Sequence, residues 1–252
     1  MLTQSLRTLL LAGFTAASMA SATSATPTDD LFAAIKANDR AAVDAIIAKS
    51  PEAAGGTTAN GVTPLMQAAY LERQDIVDVL RRAKSDLNFF EVCIVGDVRA
   101  LRAFLARGQA VDALSPDGFT PLGLAVFFRQ VDAARLLIDA GANVNAKARS
   151  SIGTAPIHAA VARGHLELLQ LLLLRGADVN LTQQRWLRPL HEAAASGSLP
   201  VVGMLVLFGA DAAAVSEDGR TPADFARASG HLALAQQLER IVAQRRPPSK
   251  PG

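Results

Sequence analysis

The spacing of prolines constrains this chain more than any other feature. Pro64, Pro121, Pro156, Pro189 and Pro222 each precede a short, alanine-rich segment of helical period. The last three stand 33 residues apart, and Pro121 and Pro156 stand 35 apart. Gly141, Gly176 and Gly209 keep the same beat about twenty residues later, opening G-A-N-V-N, G-A-D-V-N and G-A-D-A-A. Between each proline and its glycine lie two apolar patterns of helical period, split by a glycine turn such as R-G-H at 163–165. A period of this length predicts a stack of small similar units instead of one globular core.

Each recurring residue has a physical reason. Proline is tolerated in the first helical turn because its missing N–H would have no intrahelical partner there. A preceding threonine can cap the remaining orphan N–H groups. Alanines in the first helix let neighbouring units approach closely, and leucines in the second (Leu168, Leu169, Leu171, Leu172) fill the layer between helix rows. Glycine then ends the pair in a left-handed conformation. One such pair cannot bury both its faces, so the units must stack.

With T-P-L at 63–65 and 120–122, A-P-I-H at 155–158, R-P-L-H at 188–191 and the G-A-D-V-N glycines in register, the sequence resembles the ankyrin repeat family over roughly residues 28–241. The resemblance implies an all-α solenoid of about seven helix-turn-helix repeats, joined by short β-hairpin fingers. The first unit, from D-D-L-F-A-A-I-K, lacks T-P-L-H and reads as an N-terminal cap. The last carries Asp224 in place of histidine, becomes charged and reads as a C-terminal cap. Pro64 to Pro121 spans 57 residues, nine short of two 33-residue units. The missing nine are a finger and its T-P entry, so the third repeat, beginning within S-D-L-N-F-F-E-V-C-I-V-G-D at 85–97, lacks its finger, with Lys84 in the glycine slot.

The ends depart from the repeat. Residues 1–22 join a single basic residue, Arg7, to a short apolar run and the small residues A-S-A, the pattern of a signal peptide, with cleavage possible as late as Ala25. No cysteine follows the run, which excludes a lipoprotein anchor, and the run is short for a membrane span. The expectation is export to a bacterial periplasm or beyond, with no membrane span in the mature protein. Residues 242–252 read as a disordered, basic, proline-rich tail. The formal net charge is +2 overall and falls to +1 without Arg7. Three positive charges sit in the tail, so the body is slightly acidic and no nucleic-acid groove is expected.

Residues suited to catalysis are sparse. His191-Glu192 begins an H-E-x-x-H zinc motif, but the second histidine position is Ala195. By the resemblance, His158 and His191 tie neighbouring backbone groups together, and His165 and His231 sit in turns between helices. A single cysteine cannot form an internal disulfide, and no cysteine pair is available for zinc. Cys93 falls in register with Ala69 and Ala194, an inward-facing position where a thiol behaves as a small hydrophobe. The reading is of a non-enzymatic module without cofactor or metal.

The resemblance further implies partner binding through the fingers and the groove face of the first helices, at the two residues before the mid-repeat glycine position. These are Tyr70 and Leu71, Ile94 and Val95, and Phe127 and Phe128 in repeats two to four. In later repeats they become Ala162 and Arg163, Ala195 and Ser196, and Ala228 and Ser229. Phe119 and Trp186 are further candidates on fingers, Trp186 replacing the usual finger glycine. The apolar residues suit either a bound protein or a satellite core packed on itself. A small-molecule or lipid carrier using the same groove, and a thiol enzyme or redox sensor at Cys93, are the competing functions. A single copy is favoured over an oligomer.

Overall fold

The computed structural model describes residues 26–150 and 152–245. The signal-peptide reading lies outside the described residues, as does the tail beyond residue 245. Among the described residues there are fourteen α-helices in seven antiparallel pairs and no strand. The pairs are α1 (Pro27–Ala37) with α2 (Arg40–Lys49), α3 (Pro64–Tyr70) with α4 (Gln74–Ala83), and α5 (Phe89–Val95) with α6 (Val98–Ala106). Next come α7 (Pro121–Phe127) with α8 (Val131–Asp139), and α9 (Pro156–Ala162) with α10 (Leu166–Leu174). The last two are α11 (Pro189–Ser196) with α12 (Leu199–Leu207), and α13 (Pro222–Ala228) with α14 (Leu232–Arg245). Residues 242–245, expected in the tail, continue α14.

The first helices stack as an inner row and the second as an outer row, sharing one core from Leu31 to Leu238. Thr63, Thr120 and Thr221 cap α3, α7 and α13 by accepting the N–H three residues on. Where alanine or arginine takes the cap position, histidine substitutes. His158 and His191 Nδ1 accept the N–H of Ala155 and Arg188 at 3.1 Å each. His158 Nε2 then donates to the Leu181 carbonyl at 2.9 Å, stitching two loops together. With both ring nitrogens used and the ring buried, burial pulls the His158 pKa down to about 4.

The expected hairpin fingers are tight loops, each closed by one backbone hydrogen bond of 2.8–2.9 Å between residues 58 and 62, 115 and 119, 148 and 154, 183 and 187, or 216 and 220. The third is two residues longer, as its sequence implies. Repeat three has none: five residues join α4 to α5. Its Asn88 also changes employment. Asn145 and Asn180, at the same place in G-A-N-V-N and G-A-D-V-N, reach forward to the next repeat, accepting from Asp178 and Asp211 N–H and donating to Gly176 and Gly209 carbonyls. Asn88 instead caps α5 with Glu91 in a reciprocal box.

The finger row closes over the gap. Gly61 of the second repeat lies against Pro116 of the fourth, close enough that a Cβ there would stand 2.6 Å from Pro116 Cβ. Backbone hydrogen bonds then run from Arg149 to Gly118, from Gln184 to Ile152 and from Glu217 to Arg185. Five fingers across the six junctions between helix pairs shorten the finger side of the stack and draw repeats two to five together on the inner face.

Candidate partner-binding surfaces

The groove face of repeats two to four is built around Tyr70. Its ring packs 6.3 Å from Phe119 and 6.0 Å, stacked, from Phe128, and its hydroxyl donates to Asp117 Oδ2 at 2.6 Å. Burial, helped by the Asp117 carboxylate, holds its pKa well above the ordinary tyrosine value. Asp117 and Phe119 belong to the fourth repeat's finger, which the missing third finger allows Tyr70 to reach. Phe127 crosses Phe128 edge-on at 5.2 Å.

The mid-repeat turns complete this arrangement. That position needs a left-handed backbone, and glycine fills it at Gly96, Gly164, Gly197 and Gly230. Glu72 and Arg129 fill it with φ of 57° and 62°. Both side chains go to Arg163 of the fifth repeat. Its guanidinium donates to Glu72 Oε1 at 2.7 Å and lies 5.0 Å from the centre of the Phe127 ring, while its carbonyl accepts from Arg129 Nη2 at 2.7 Å. Two strained turns and one arginine thus fasten repeats two, four and five across the groove.

Among the residues expected to meet a partner, Tyr70 and Ile94 are buried, and Leu71, Val95, Phe119, Phe127 and Phe128 are half-buried against the core. Most of this surface serves as satellite core for the chain itself. A cavity beneath the fingers, lined by Tyr70, Phe119, Leu124 and Phe127, holds about 30 Å³, room for one water. A cleft of about 300 Å³ at the helix turns is edged by Glu72, Asp78, Arg81 and Arg163.

Trp186 is placed differently, with 62% of its surface exposed at the tip of the fourth finger loop. Arg185 and Trp186 both take left-handed backbone, with φ of 60° and 54°. A two-residue turn of this kind ordinarily takes glycine or asparagine. Holding an arginine and a tryptophan there costs roughly 1–2 kcal/mol per residue.

The one thiol and two buried carboxyl groups lie inside the helix layers. Cys93 is buried in α5, and burial pushes its thiol up to about 12, so it is protonated at neutral pH. Glu192 is buried in α11 with Oε2 unpartnered, and burial raises its carboxyl to about 8. Glu91, also buried, takes bonds from Thr63 Oγ1, Lys84 Nζ and Asn88 N–H. Among the described residues no group of three or more His, Cys, Asp or Glu could hold a metal, and no helix is long and apolar enough to cross a membrane.

A second surface, not among the residues expected to meet a partner, lies on the outer helices. On the outer row Leu166, Leu174, Leu199, Leu207 and Leu232 are all exposed. Its signal was the charge pattern of α12, L-P-V-V-G-M-L-V-L, which has no charged residue at all.

A family model described as Ankyrin repeats (3 copies) matches residues 31–148, 89–183 and 157–241. Ankyrin repeat and SOCS box protein 3 of Homo sapiens is 34% identical over 88 residues, 34% of this chain and 17% of that protein. Ankyrin repeat, SAM and basic leucine zipper domain-containing protein 1 of Colobus guereza is 30% identical over 141 residues, 54% of this chain and 29% of that protein. The matched stretch spans less than a third of either relative's length. The repeat register, the seven helix pairs and the family match agree: the chain belongs to the ankyrin repeat family.

Proposed function

We propose that this chain is a non-enzymatic protein-binding module of the bacterial envelope, exported by its N-terminal leader, with the row of finger loops as its partner-facing edge. Ankyrin repeats generally mediate protein–protein interaction, and Trp186 is the observation that carries the surface. An indole left mostly in water on a strained turn gives the fold little in return. Buried in a partner's apolar pocket, it is the kind of anchor that dominates binding energy. The half-buried groove residues Leu71, Val95, Phe127 and Phe128 form a secondary floor, reachable where the groove opens.

Trp186→Gly separates the two roles. It is expected to raise stability by about 1 kcal/mol by relaxing the turn, measured by urea unfolding. It should also cut capture of the natural partner from a host envelope extract at least tenfold. Stabilisation with undiminished capture would remove the finger tip from the binding surface. For the compartment, cell fractionation should find a periplasmic product lacking residues 1–22, and a full-length cytoplasmic product would contradict export.

A further inference from the structure

The outer row changes character halfway along the stack. In each outer helix the first, fifth and ninth residues share one face, pointing away from the inner row. In α4, α6 and α8 the fifth residues are Asp78, Arg102 and Arg135, all exposed. The ninth residues include Arg82 and Asp139. In α10 and α12 the same face reads Leu166, Gln170, Leu174 and Leu199, Gly203, Leu207. Leu174, Leu199 and Leu207 are 65%, 58% and 81% exposed, and Leu232 at the start of α14 is 60% exposed. Charge lies around it, in Glu167 at the start of α10, in the Arg175–Asp139 ion pair on that side and in Arg240 on the other. An apolar patch with a polar rim marks an interaction surface.

Gly203 supplies an independent observation. It sits inside α12, where glycine is less stable than alanine. A Cβ added there would meet nothing within 4 Å, so no packing within the chain calls for glycine. What it leaves is a notch in the exposed face, with Leu199 one turn before it and Leu207 one turn after.

We infer that this outer face, centred on α12, is the interface of a homodimer of this chain. A two-fold axis through the notch lays α12 antiparallel on its copy. Gly203 then meets Gly203, and Leu199 of each copy meets Leu207 of the other, the reciprocity that an isologous contact demands. The absence of charge from α12 lets it meet its copy without like-charge repulsion, and glycine at the crossing lets the helices approach closely. Three neighbouring helices about 10 Å apart and each roughly 14 Å long present a projected face of roughly 400 Å². That is about half the ~800 Å² per partner of a standard interface, the size of a weak dimer that forms only at high concentration. The inference departs from the single copy favoured by the sequence, and it is independent of the finger-tip reading because it uses the outer helices and none of the finger loops.

Sedimentation velocity of the purified protein from about 1 to 100 µM tests it, alongside Leu207→Arg and Gly203→Ala. The wild type should be a dimer at the upper concentrations. Leu207→Arg, at a site 81% exposed, should be monomeric throughout with unchanged circular dichroism. Gly203→Ala should raise the melting temperature of dilute monomer yet weaken dimerisation at least tenfold, a split that a purely structural glycine does not give. A wild type monomeric at 100 µM overturns the inference, as does a Leu207→Arg protein that remains dimeric. A monomer that floats with phosphatidylglycerol vesicles through the same leucines would assign the face to a lipid surface instead.

Discussion

Repeats two to four and repeats five to seven put their surplus apolar residues on opposite sides of the same stack. In the first group they face the groove, as Tyr70, Ile94, Phe127 and Phe128, and the outer helices are charged. In the second the groove positions shrink to alanine and serine after Arg163, and leucines appear on the outer helices. The groove aromatics are covered by the chain, through the finger of repeat four (residues 115–119) and Arg163, whereas the outer leucines and Trp186 are not. The two apolar surfaces therefore differ in kind: one is mostly packing that compensates for a lost finger, the other is left uncovered by the chain.

The comparison is broken most severely at the finger deletion. Lys84 and Glu91 form a buried ion pair at 2.7 Å, with the carboxylate fully enclosed. The slot that Lys84 occupies holds glycine in the regular repeats, at Gly108, Gly141, Gly176 and Gly209. Lys84→Met leaves the carboxylate buried without its counter-charge and is expected to cost about 3–5 kcal/mol in urea unfolding. Adding Glu91→Gln should recover most of that, because the amide oxygen can still accept the Asn88 N–H while its NH2 donates to the Thr63 hydroxyl oxygen. A Lys84→Met loss below about 1 kcal/mol would show that the junction does not depend on the pair.

Much of this architecture was legible in the sequence. Proline and glycine positions gave seven helix pairs and the fingerless third repeat, because caps and left-handed turns are local requirements. The burial of Tyr70 was not legible, since its covering groups, Asp117, Phe119 and Phe128, lie 47–58 residues away across a gap that only the stacked chain closes. Glu72 and Arg129 announce themselves as non-glycines at a glycine position, but their common target, Arg163, does not. The outer leucines were hidden for another reason. In L-E-L-L-Q-L-L-L-L, Leu168, Leu169, Leu171 and Leu172 fill the core while Leu166 and Leu174 face water, and a helix with so little polar face hides which are which. Aligning the first, fifth and ninth residues of all outer helices separates them.

A smaller effect contrasts neighbouring repeats five and six. His158 is neutral and satisfied at both nitrogens, whereas Glu192 is held protonated by burial with one oxygen unpartnered. Unfolded, the Glu192 carboxyl titrates near 4.5 and, folded, near 8. Between those values the unfolded chain has lost a proton that the folded chain keeps, so stability falls as pH rises, by up to about 1.4 kcal/mol per unit. For His158, folded near 4 and unfolded near 6.5, the unfolded chain gains the extra proton, so stability falls as pH drops through that window. Glu192→Gln should flatten the alkaline limb and gain more over wild type at pH 8 than at pH 5, by roughly 2–4 kcal/mol. An unchanged alkaline limb would place the proton elsewhere.

The smallest effect is at the clamp, and it tests whether the groove of repeats two to five is held shut. The Arg163 and Glu72 side chains are each about a third exposed (29% and 35%), so solvent screens their attraction. Arg163→Ala, which also removes the contact with Phe127, should cost about 1–2 kcal/mol. The in-register Ser196→Ala in repeat six should stay within about 0.5 kcal/mol. Glu72→Gly makes the sharper comparison. It removes the same ion pair but relieves the left-handed turn, worth roughly 1 kcal/mol, so the two changes nearly cancel in stability. If the clamp closes the groove, Arg163→Ala and Glu72→Gly should both speed amide exchange around Phe127 and Phe128, although only the first lowers the melting temperature. Exchange that follows stability alone would mean that the curvature is set by the missing finger and that Arg163 merely decorates it. Faster exchange in both would show that the glutamate is retained at a glycine position because it holds the groove closed.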